Sequence, residues 1–275
     1  MKIGLALGGG SARGLAHIMI LQAFDELGLK PVIMSGCSMG ALVGSAYASG
    51  ISAKDIAEHA CGVLDNRIEA VRHIFSANKG NLFDLLNFKG LGAVHVDGRN
   101  LADLVMPEGT AKRVEDTEIP FKVVATDFYN QEQHVFLEGN MAEVVAASIA
   151  IPGVISAPEI NGRLYVDGGM TNPVPFDLIR DEADIVVAVD VTGRPVRQPQ
   201  KHPSNIELAT GAMLTMFRQI AVIRREMAPP DIYIEPNVDD FAAGDFFKVR
   251  EILNAARPAR DELKRALETH LNAAS

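Results

Sequence analysis

The chain has 275 residues, enough to bury the core of one large α/β domain or two small ones without disulfides or a structural metal. Its composition, 48% hydrophobic and 22% charged, is that of an ordinary globular protein and excludes the disordered and fibrous classes. The formal net charge of −9 argues against a nucleic-acid partner and against a permanently bound anionic membrane surface.

The N-terminal segment and the two cysteines suggest where the protein works. The first apolar run, Lys2–Leu7, is too short for the core of a secretory leader, and Arg13 follows it closely. Cys37 and Cys61 match no metal-ligand spacing and are expected to be reduced thiols. We therefore expect a cytoplasmic protein that carries no metal and no other cofactor.

Short apolar runs rich in β-branched residues alternate with segments of helical periodicity, which is typical of an α/β fold with a mainly parallel sheet sandwiched by helices. A hairpin-like pair around residues 130–132 adds an antiparallel element. We predict one domain over residues 1–275, with the motifs in 3–191 and a helical portion at 205–275. The predicted strands are Lys2–Leu7, Val32–Ser35, Phe121–Thr126, His134–Leu137, Arg163–Val166, Ile185–Val191 and Ile232–Ile234. The predicted helices are Leu15–Leu27, Met39–Ala48, Ala53–Val63, Met141–Ser148, Pro175–Asp181 and Ile206–Met227.

Three internal segments have unusual patterns. Pro31–Ala53 contains 23 residues without a charge, but its glycines, its serines and its change of pattern predict a buried strand and helix rather than a membrane span. Periodicity is weak over residues 64–96, which are expected to be a helical insertion packed on the core, with a lid as the alternative. The Pro-rich stretch Thr192–Ser204 is predicted to be a surface excursion.

The C-terminal third is predicted to be helical. The apolar helix around Met213–Ile223 is expected to present a core-facing stripe, with an acyl-site wall or a dimer face as alternatives. From Phe246 onward the pattern predicts two helices broken near Pro258, with a frayed end at Asn272–Ser275.

A glycine-rich loop, Gly8–Gly14, separates the first predicted strand from the first helix. Backbone N–H groups at such a position form a cradle for an anion. A phosphate-binding P-loop needs Lys and then Ser or Thr after its last glycine, where this chain has Leu15 and Ala16. A dinucleotide site needs an acidic residue at the end of the second strand, where this chain has Ser35 and Gly36. Both cofactor interpretations are therefore disfavoured.

The stretch Gly36–Gly40 follows the second predicted strand and opens the next helix. Its G-x-S-x-G pattern is typical of a nucleophile elbow, a sharp turn that exposes the hydroxyl of Ser38, although a tight buried turn with a hydrogen-bonded serine has the same pattern. If the first two strands are parallel neighbours, the glycine loop and the elbow meet at one edge of the sheet. Donors of the loop could then stabilise the oxyanion that forms when Ser38 attacks a carbonyl.

A nucleophilic serine needs a base within hydrogen-bond reach. In a Ser–His–Asp triad of α/β-hydrolase order the histidine lies downstream, but His202 falls in the Pro-rich stretch and His270 in the terminal helix. The remaining histidines lack a supporting context; they are His17, His59, His73, His95 and His134.

Three aspartates end apolar strands and are alternative bases: Asp127, Asp167 and Asp190. Asp167 is preferred because Gly168 and Gly169 follow it, so that backbone and substrate can approach its carboxylate. The other two are expected to cap turns at the sheet edge. We therefore predict that Asp167 takes the proton of Ser38 without an imidazole between them.

Taken together, four motifs resemble the patatin-like phospholipase family, especially its compact bacterial members and the esterase domain related to neuropathy target esterase. They are the glycine loop with Arg13, the elbow at Ser38, the stretch Ala147–Gly153, and Val166–Gly169 followed by Asn172–Pro175. The resemblance implies a patatin-like α/β fold with a C-terminal helical tail. It also implies a Ser–Asp dyad, Ser38 and Asp167, that hydrolyses lipid acyl esters through an acyl-enzyme.

The resemblance further implies roles for residues around the dyad. The backbone N–H groups of the loop would form the oxyanion hole, and Arg13 would hold the loop or meet a lipid phosphate. Ser11 stands where close relatives often have a fourth glycine, and Cys37 stands where threonine is commoner. The oxyanion-hole residues are Gly8, Gly9, Gly10 and Ser11, and the supporting residues are Arg13, Gly14, Gly36, Met39, Gly40, Gly168 and Gly169.

The expected partner is a lipid or another acyl-ester substrate, with transient membrane contact because the chain is acidic and has no basic amphipathic helix. No nucleic-acid partner is expected, and a homo-oligomer is compatible with the apolar helix. Two alternatives to the Ser–Asp hydrolase stay open: a Ser–His–Asp esterase, and a catalytically silent lipid-binding or regulatory protein of the same fold.

Overall fold

The computed structural model describes residues 1–65, 96–194 and 205–273. The strands in these ranges are β1 Ile3–Leu7, β2 Ile33–Cys37, β3 Phe121–Asp127, β4 Glu132–Phe136, β5 Glu159–Ile160, β6 Arg163–Asp167, β7 Ile185–Val189 and β8 Ile232–Ile234. The α-helices are α1 His17–Leu27, α2 Met39–Ala48, α3 Ala53–Asp65, α4 Gly98–Val105, α5 Met141–Ser148, α6 Asn205–Met227 and α7 Val249–Ala273.

The strands form one sheet in the order β5-β6-β3-β2-β1-β7-β8, and β4 pairs with β3 outside this path. The strands β3, β2, β1, β7 and β8 are parallel to one another. The strands β4 and β6 both run antiparallel to β3, and β5 runs antiparallel to β6. The predicted mainly parallel sheet is confirmed, and the hairpin around residues 130–132 is its antiparallel β3–β4 pair.

Helices cover both faces of the sheet, as the alternation of side chains in β1 illustrates. Leu5 and Leu7 point into the larger apolar core, which includes residues of α1, α2, α5 and α7. Ala6 points into a smaller core on the opposite face, with Phe176 and with Ala221 of α6. The predicted sandwich of helices around the sheet is therefore confirmed.

Several predicted elements differ from the observed ones. The segment predicted as a helix at Pro175–Asp181 is a 3₁₀ turn at Phe176–Glu182. Helix α4 and strand β5 were not predicted, and β5, with only two residues, is too short to show a period. Helix α4 does have a local signal, since the Asp97 carboxylate caps it by accepting hydrogen bonds from two backbone N–H groups of its first turn.

The predicted break near Pro258 is wrong, because α7 is one continuous helix from Val249 to Ala273. The proline lies on the exposed side, so the carbonyl that loses its helical hydrogen bond can turn toward water. A buried stripe runs along the other side, before and after the proline, and holds both halves on the core. The helix also extends further than predicted, since Asn272 and Ala273, which were expected to be frayed, are helical. The stripe is Ile252, Ala256, Ala259, Leu263 and Leu267.

The charge-free stretch Pro31–Ala53 forms β2 and α2, which confirms the predicted buried strand and helix. In the described ranges, no helix combines the length and the apolar character that crossing a membrane requires. Residues 66–95 and 195–204 lie outside the described residues, so the predictions of a lid or insertion and of a surface excursion stay predictions. The single-domain assignment also stays a prediction.

Candidate active site

The elbow consists of a single residue between two elements. Strand β2 ends at Cys37 and α2 begins at Met39, so Ser38 alone makes the turn. Its φ of 52° and ψ of −120° lie in a region that residues with a side chain rarely adopt, as in a nucleophile elbow. Ser38 is buried, with 4% of its surface exposed, whereas the elbow pattern predicted an exposed hydroxyl.

The glycines around the elbow permit close packing. A Cβ atom added to Gly40 would lie 2.0 Å from the carbonyl oxygen of Leu7, so any side chain there would push α2 away from β1. A Cβ atom at Gly9 would lie 3.2 Å from the Ser38 Cβ atom, which places the glycine loop beside Ser38. The predicted contact between loop and elbow is thus present. The other predicted glycines are also tightly enclosed; these are Gly8, Gly10, Gly14, Gly36, Gly168 and Gly169.

Strands β2 and β6 bring Ser38 and Asp167 together by meeting end to end along β3. Strand β4 occupies one edge of β3 from Val123 to Asp127, so β2 and β6 must both use the other edge. The last residue of β2, Cys37, pairs with Val124, and the last residue of β6, Asp167, pairs with Ala125. The two strand ends therefore face each other, and the antiparallel direction of β6 is what delivers the carboxylate to the elbow.

A direct hydrogen bond joins the two predicted catalytic residues. The Ser38 hydroxyl donates to Asp167 Oδ2 at 2.7 Å, and the backbone N–H of Gly169 donates to Asp167 Oδ1 at 2.8 Å. The Asp167 side chain has no solvent exposure. Burial raises the pKa of Asp167 to about 6, although the hydrogen bonds from Gly169 and Ser38 lower it. The carboxylate is thus more basic than an exposed one and still ionised at neutral pH.

The other two strand-ending aspartates hold turns. Asp127 accepts hydrogen bonds from the backbone and side-chain N–H groups of Asn130. Asp190 accepts from the backbone N–H and the hydroxyl of Thr192 and from the Tyr233 hydroxyl. Both carboxylates are therefore committed to hydrogen bonds away from Ser38.

Among the described histidines, none bonds to Ser38 or Asp167. His17 is fully buried, and its Nε2 lies 2.7 Å from the Gly8 carbonyl oxygen, so Nε2 carries the proton and donates. Burial lowers the pKa of His17 to about 4, so the ring is neutral at physiological pH. The other three described histidines have local partners: His59 bonds to Val105 O, His270 to Ala266 O, and His134 packs against Phe136 and Tyr165. His73, His95 and His202 lie outside the described residues.

The glycine loop offers fewer donors than the resemblance implied. The N–H of Gly8 donates to Val189 O and the N–H of Gly9 donates to Pro173 O, each at 2.9 Å. These two groups point into the protein, so the expectation that all four loop residues supply donors is wrong. The N–H groups of Gly10 and Ser11 have no backbone acceptor within the described ranges.

Ser11 has a backbone conformation that favours glycine. Its φ is 51°, in the left-handed region where glycine is favoured. The residue is followed directly by a 3₁₀ turn, Ser11–Ala16, that leads into α1. A glycine at this position could adopt the same backbone conformation without strain.

Arg13 holds the loop from inside the protein. Its side chain is 5% exposed, its Nε donates to Phe241 O at 2.8 Å, and a second guanidinium nitrogen donates to Thr192 O. Of the two roles that the resemblance implied, this burial supports holding the loop and leaves no access for a lipid phosphate.

Cys37 lies directly before Ser38 and packs against the glycine loop. A Cβ atom at Gly9 would lie 3.5 Å from its sulfur. Burial is the main cause that raises the pKa of the Cys37 thiol, and the nearby Asp167 carboxylate raises it further. The side chain is therefore a small neutral group, as the threonine it replaces would be.

One residue in the site was missed by the sequence analysis. The backbone N–H of Ser38 donates to Ser148 Oγ at 2.8 Å, and the Ser148 hydroxyl donates to Val124 O at 2.7 Å. Ser148 belongs to the motif Ala147–Gly153, which supported the family resemblance without a stated role. Its position in that motif was the signal that could have identified it.

Helix α6 covers the Asp167 loop with one of its faces. Leu214 and Phe217 are buried, and the Phe217 ring lies where a side chain at Gly169 would be, so the predicted core-facing stripe is right for these residues. It is wrong for Met216 and Ile223, which are more than half exposed on another face of the helix. The predictions of an acyl-site wall and of a dimer face stay predictions.

Comparison with known proteins agrees with the motifs. The family model of patatin-like phospholipases matches residues 5–179. An uncharacterized NTE family protein of Mycobacterium bovis is 35% identical over 193 residues, which cover 70% of this chain and 49% of that protein. Patatin-like phospholipase domain-containing protein 6 of Mus musculus is 26% identical over 284 residues, which cover 91% of this chain and 20% of that protein.

A further relative and a solved structure point the same way. Lysophospholipase NTE1 of Kluyveromyces lactis is 26% identical over 277 residues, which cover 91% of this chain and 18% of that protein. This chain thus spans at most about half the length of these relatives. Human GIVD cytosolic phospholipase A2, in complex with methyl gamma-linolenyl fluorophosphonate, superposes with a TM-score of 0.52 at 12% identity, over 98% of this chain and 59% of that one. That likeness concerns the fold, and it confirms the predicted patatin-like architecture.

Proposed function

Because the chain belongs to the patatin-like phospholipase family, we propose that it is a serine lipid acyl hydrolase with Ser38 as nucleophile and Asp167 as base. The observation that carries the proposal is the 2.7 Å hydrogen bond from the Ser38 hydroxyl to the buried Asp167 carboxylate. A serine hydroxyl is a weak nucleophile until a base can take its proton, and this contact supplies such a base.

The first half of the reaction forms the acyl-enzyme. Asp167 Oδ2 takes the hydroxyl proton while Ser38 Oγ bonds to the ester carbonyl carbon. The carbonyl π electrons move to the oxygen, which becomes an oxyanion. When the carbonyl re-forms, the bond to the alcohol breaks, and the proton on Asp167 passes to the leaving alkoxide.

The second half returns the enzyme to its starting state. A water molecule attacks the acyl carbon while Asp167 takes its proton, and a second oxyanion forms. The bond from the acyl carbon to Ser38 Oγ then breaks, and Asp167 returns the proton to that oxygen. The products are the free fatty acid and the alcohol, and no cofactor takes part.

The N–H groups of Gly10 and Ser11 are the proposed oxyanion donors. They belong to the loop beside Ser38, and their neighbours Gly8 and Gly9 are fixed by hydrogen bonds to Val189 and Pro173. A donor that is held in place before the reaction stabilises the oxyanion without reorganising. Loss of one such donor typically costs about 2.7–4 kcal/mol of transition-state stabilisation.

The proposed substrates are lipid acyl esters, met in transient contact with a membrane or micelle surface by a cytoplasmic protein. Phe128 and Tyr129 support this contact, because they form an exposed aromatic pair in the turn after β3. That turn lies at the carboxyl edge of the sheet, where β2 also ends, directly before Ser38. Aromatic side chains of this kind favour the boundary between apolar and wet surroundings.

The test is the loss of esterase activity in Ser38→Ala. With a soluble short-chain ester, we expect kcat/KM to fall by roughly 10³-fold or more. A fluorophosphonate probe is expected to label the wild-type protein and not the variant. Ser45→Ala is the matched control, since Ser45 is a buried serine of α2 whose hydroxyl bonds to Leu42 O and not to the dyad. Full esterase activity in Ser38→Ala would refute the proposal, and absence of labelling in the wild type would favour the silent lipid-binding alternative.

The substrate class is resolved with the same pair of proteins. Lysophospholipids, diacyl phospholipids and neutral esters of varied chain length would be compared for fatty-acid release by wild type and Ser38→Ala. We expect release from at least one lipid class, dependent on Ser38. Hydrolysis of soluble esters without release from any lipid would contradict the lipid part of the proposal.

A further inference from the structure

The hydrogen-bond ladder between β2 and β3 points to a role for Ser148. The N–H of Met34 donates to Pro120 O at 2.9 Å, and a parallel ladder repeats every two residues on each strand. Ser38 is four residues after Met34, and Val124 is four residues after Pro120. Two repeats further along, the ladder bond would therefore run directly from Ser38 N–H to Val124 O.

The hydroxyl of Ser148 stands in place of that direct bond. It accepts from Ser38 N–H at 2.8 Å and donates to Val124 O at 2.7 Å, so two hydrogen bonds replace one. A hydroxyl suits this position because it donates and accepts at once. Ser148 has no solvent exposure and ends α5, so the oxygen is held by the fold and not by solvent.

The segment that carries Ser148 also binds the other member of the dyad. The N–H of Asp167 donates to the carbonyl of Ala150 at 3.0 Å. Residues 148–150 therefore contact the backbone N–H groups of both Ser38 and Asp167. Such a segment sets the distance between the two strand ends that meet on β3.

We propose that Ser148 is a positioning residue that keeps Ser38 out of the β2–β3 ladder and holds it, together with the Ala150 carbonyl, at bonding distance from Asp167. A strand residue has a negative φ, whereas the elbow has a φ of 52°. Without the inserted hydroxyl, direct pairing of Ser38 with Val124 would draw the elbow toward strand geometry. The inference rests on the proposed function, because it assigns a role in presenting Ser38 as nucleophile.

The experiment compares Ser148→Ala with Ser45→Ala, which removes another buried serine hydroxyl with no contact to the dyad. In Ser148→Ala we expect kcat for a soluble ester to fall by about 10- to 100-fold, since a displacement of about 1 Å is enough for such a loss. KM is expected to stay unchanged, because Ser148 is fully buried and its hydroxyl is already bonded to Ser38 and Val124. The rate of fluorophosphonate labelling at Ser38 should fall by the same factor as kcat, and Ser45→Ala should label at the wild-type rate.

The outcomes separate this inference from the proposed function. A wild-type protein that is not labelled would overturn the proposed function and the inference with it. A labelled wild type with Ser148→Ala labelled equally fast would overturn the inference alone. If Ser148→Ala fails to fold, Ser148→Cys replaces the hydroxyl by a weakly accepting thiol, and labelling at the wild-type rate in that variant would overturn the inference. A lower kcat at unchanged KM, in a variant with a native circular dichroism spectrum, supports the inference.

Discussion

Ser11 and Ser38 follow two neighbouring parallel strands, β1 and β2, and share an unusual backbone. Their φ angles are 51° and 52°, in a region where serine is strained and glycine is not. The Ser38 hydroxyl donates to the Asp167 carboxylate, whereas no carboxylate among the described residues bonds to Ser11. The strained turn presents a serine at both positions, and the carboxylate facing Ser38 is what would activate its hydroxyl.

The surroundings of the two serines differ in a second way. The chain before and after Ser11 is bound to other main-chain groups, by Gly8 and Gly9 on one side and by the Arg13 side chain on the other. The chain at Ser38 is bound through a hydroxyl, that of Ser148. In the proposed mechanism the loop therefore acts as a fixed set of donors and Ser38 as a positioned nucleophile, the two functions that acyl transfer needs.

The largest effect is expected from removing the carboxylate charge of Asp167, which distinguishes the surroundings of Ser38 from those of Ser11. In Asp167→Asn we expect kcat for a soluble ester to fall by about 10²- to 10⁴-fold, the usual contribution of a general base. The amide oxygen can still accept from Gly169 N–H, so the fold should persist. Because burial disfavours the charged carboxylate, the free energy of unfolding at neutral pH should rise, as measured by urea denaturation.

Asp127→Asn provides the control for this variant. Asp127 is also a buried aspartate at a strand end, but it bonds to Asn130 in a turn. We expect this substitution to weaken the turn and to retain most of the activity. Unchanged turnover in Asp167→Asn would exclude Asp167 as the base and would direct attention to His73, His95 and His202, which lie outside the described residues.

The surroundings of Ser38 also show how much of the candidate site could be predicted from the sequence alone. The elbow at Ser38 and the choice of Asp167 depended on local signals, a charge-free strand before one and two glycines after the other. The direction of β6 had no such signal, although it is what brings Asp167 to the elbow. Pairing partners are chosen by long-range packing, which local periodicity does not record.

The hydrogen-bond partners of these residues could likewise not be predicted from the sequence. The loop at Gly8 and Gly9 was predicted to supply two oxyanion donors, but carbonyls of Val189 and Pro173, more than 160 residues away, accept both bonds. The hydroxyl of Ser148 reaches Ser38 across a separation of 110 residues. A motif predicts which backbone groups lie in a loop, whereas the whole fold decides which of them remain available.

The pH dependence of activity reports on the ionisation of the proposed base, Asp167. The pKa of Asp167 is raised to about 6 by burial, and Asp167 must be ionised to take the proton of Ser38. We therefore expect kcat/KM to fall about tenfold per pH unit below pH 6. Stability changes in the opposite direction, because a carboxyl whose folded pKa lies above its unfolded value destabilises the fold as the pH rises through about 6.

Measuring the pH profile at two temperatures distinguishes this carboxyl group from an imidazole with a similar pKa. The pKa of a carboxyl group barely changes on warming, whereas that of an imidazole falls. The acid limb of the kcat/KM profile, measured at two temperatures with a soluble ester, should stay in place. A midpoint that falls on warming would support the Ser–His–Asp alternative. His17 is excluded as its source, since burial lowers the pKa of His17 to about 4.

The smallest effects are expected from substitutions of Ser11, because its proposed contribution is a backbone N–H that every residue except proline retains. Ser11→Gly relieves the strain at a φ of 51°, but it also raises the conformational entropy of the unfolded chain. Because these two effects oppose each other, the free energy of unfolding should change by less than about 1 kcal/mol. Ser11→Val has a β-branched side chain that is poorly tolerated at this φ. We expect Ser11→Val to lower both the melting temperature and kcat, and Ser11→Gly to change kcat less than Ser11→Val does. Equal losses of kcat in both variants would show that the Ser11 hydroxyl itself contributes to the reaction, and Ser11 would then resemble Ser38 in more than its backbone.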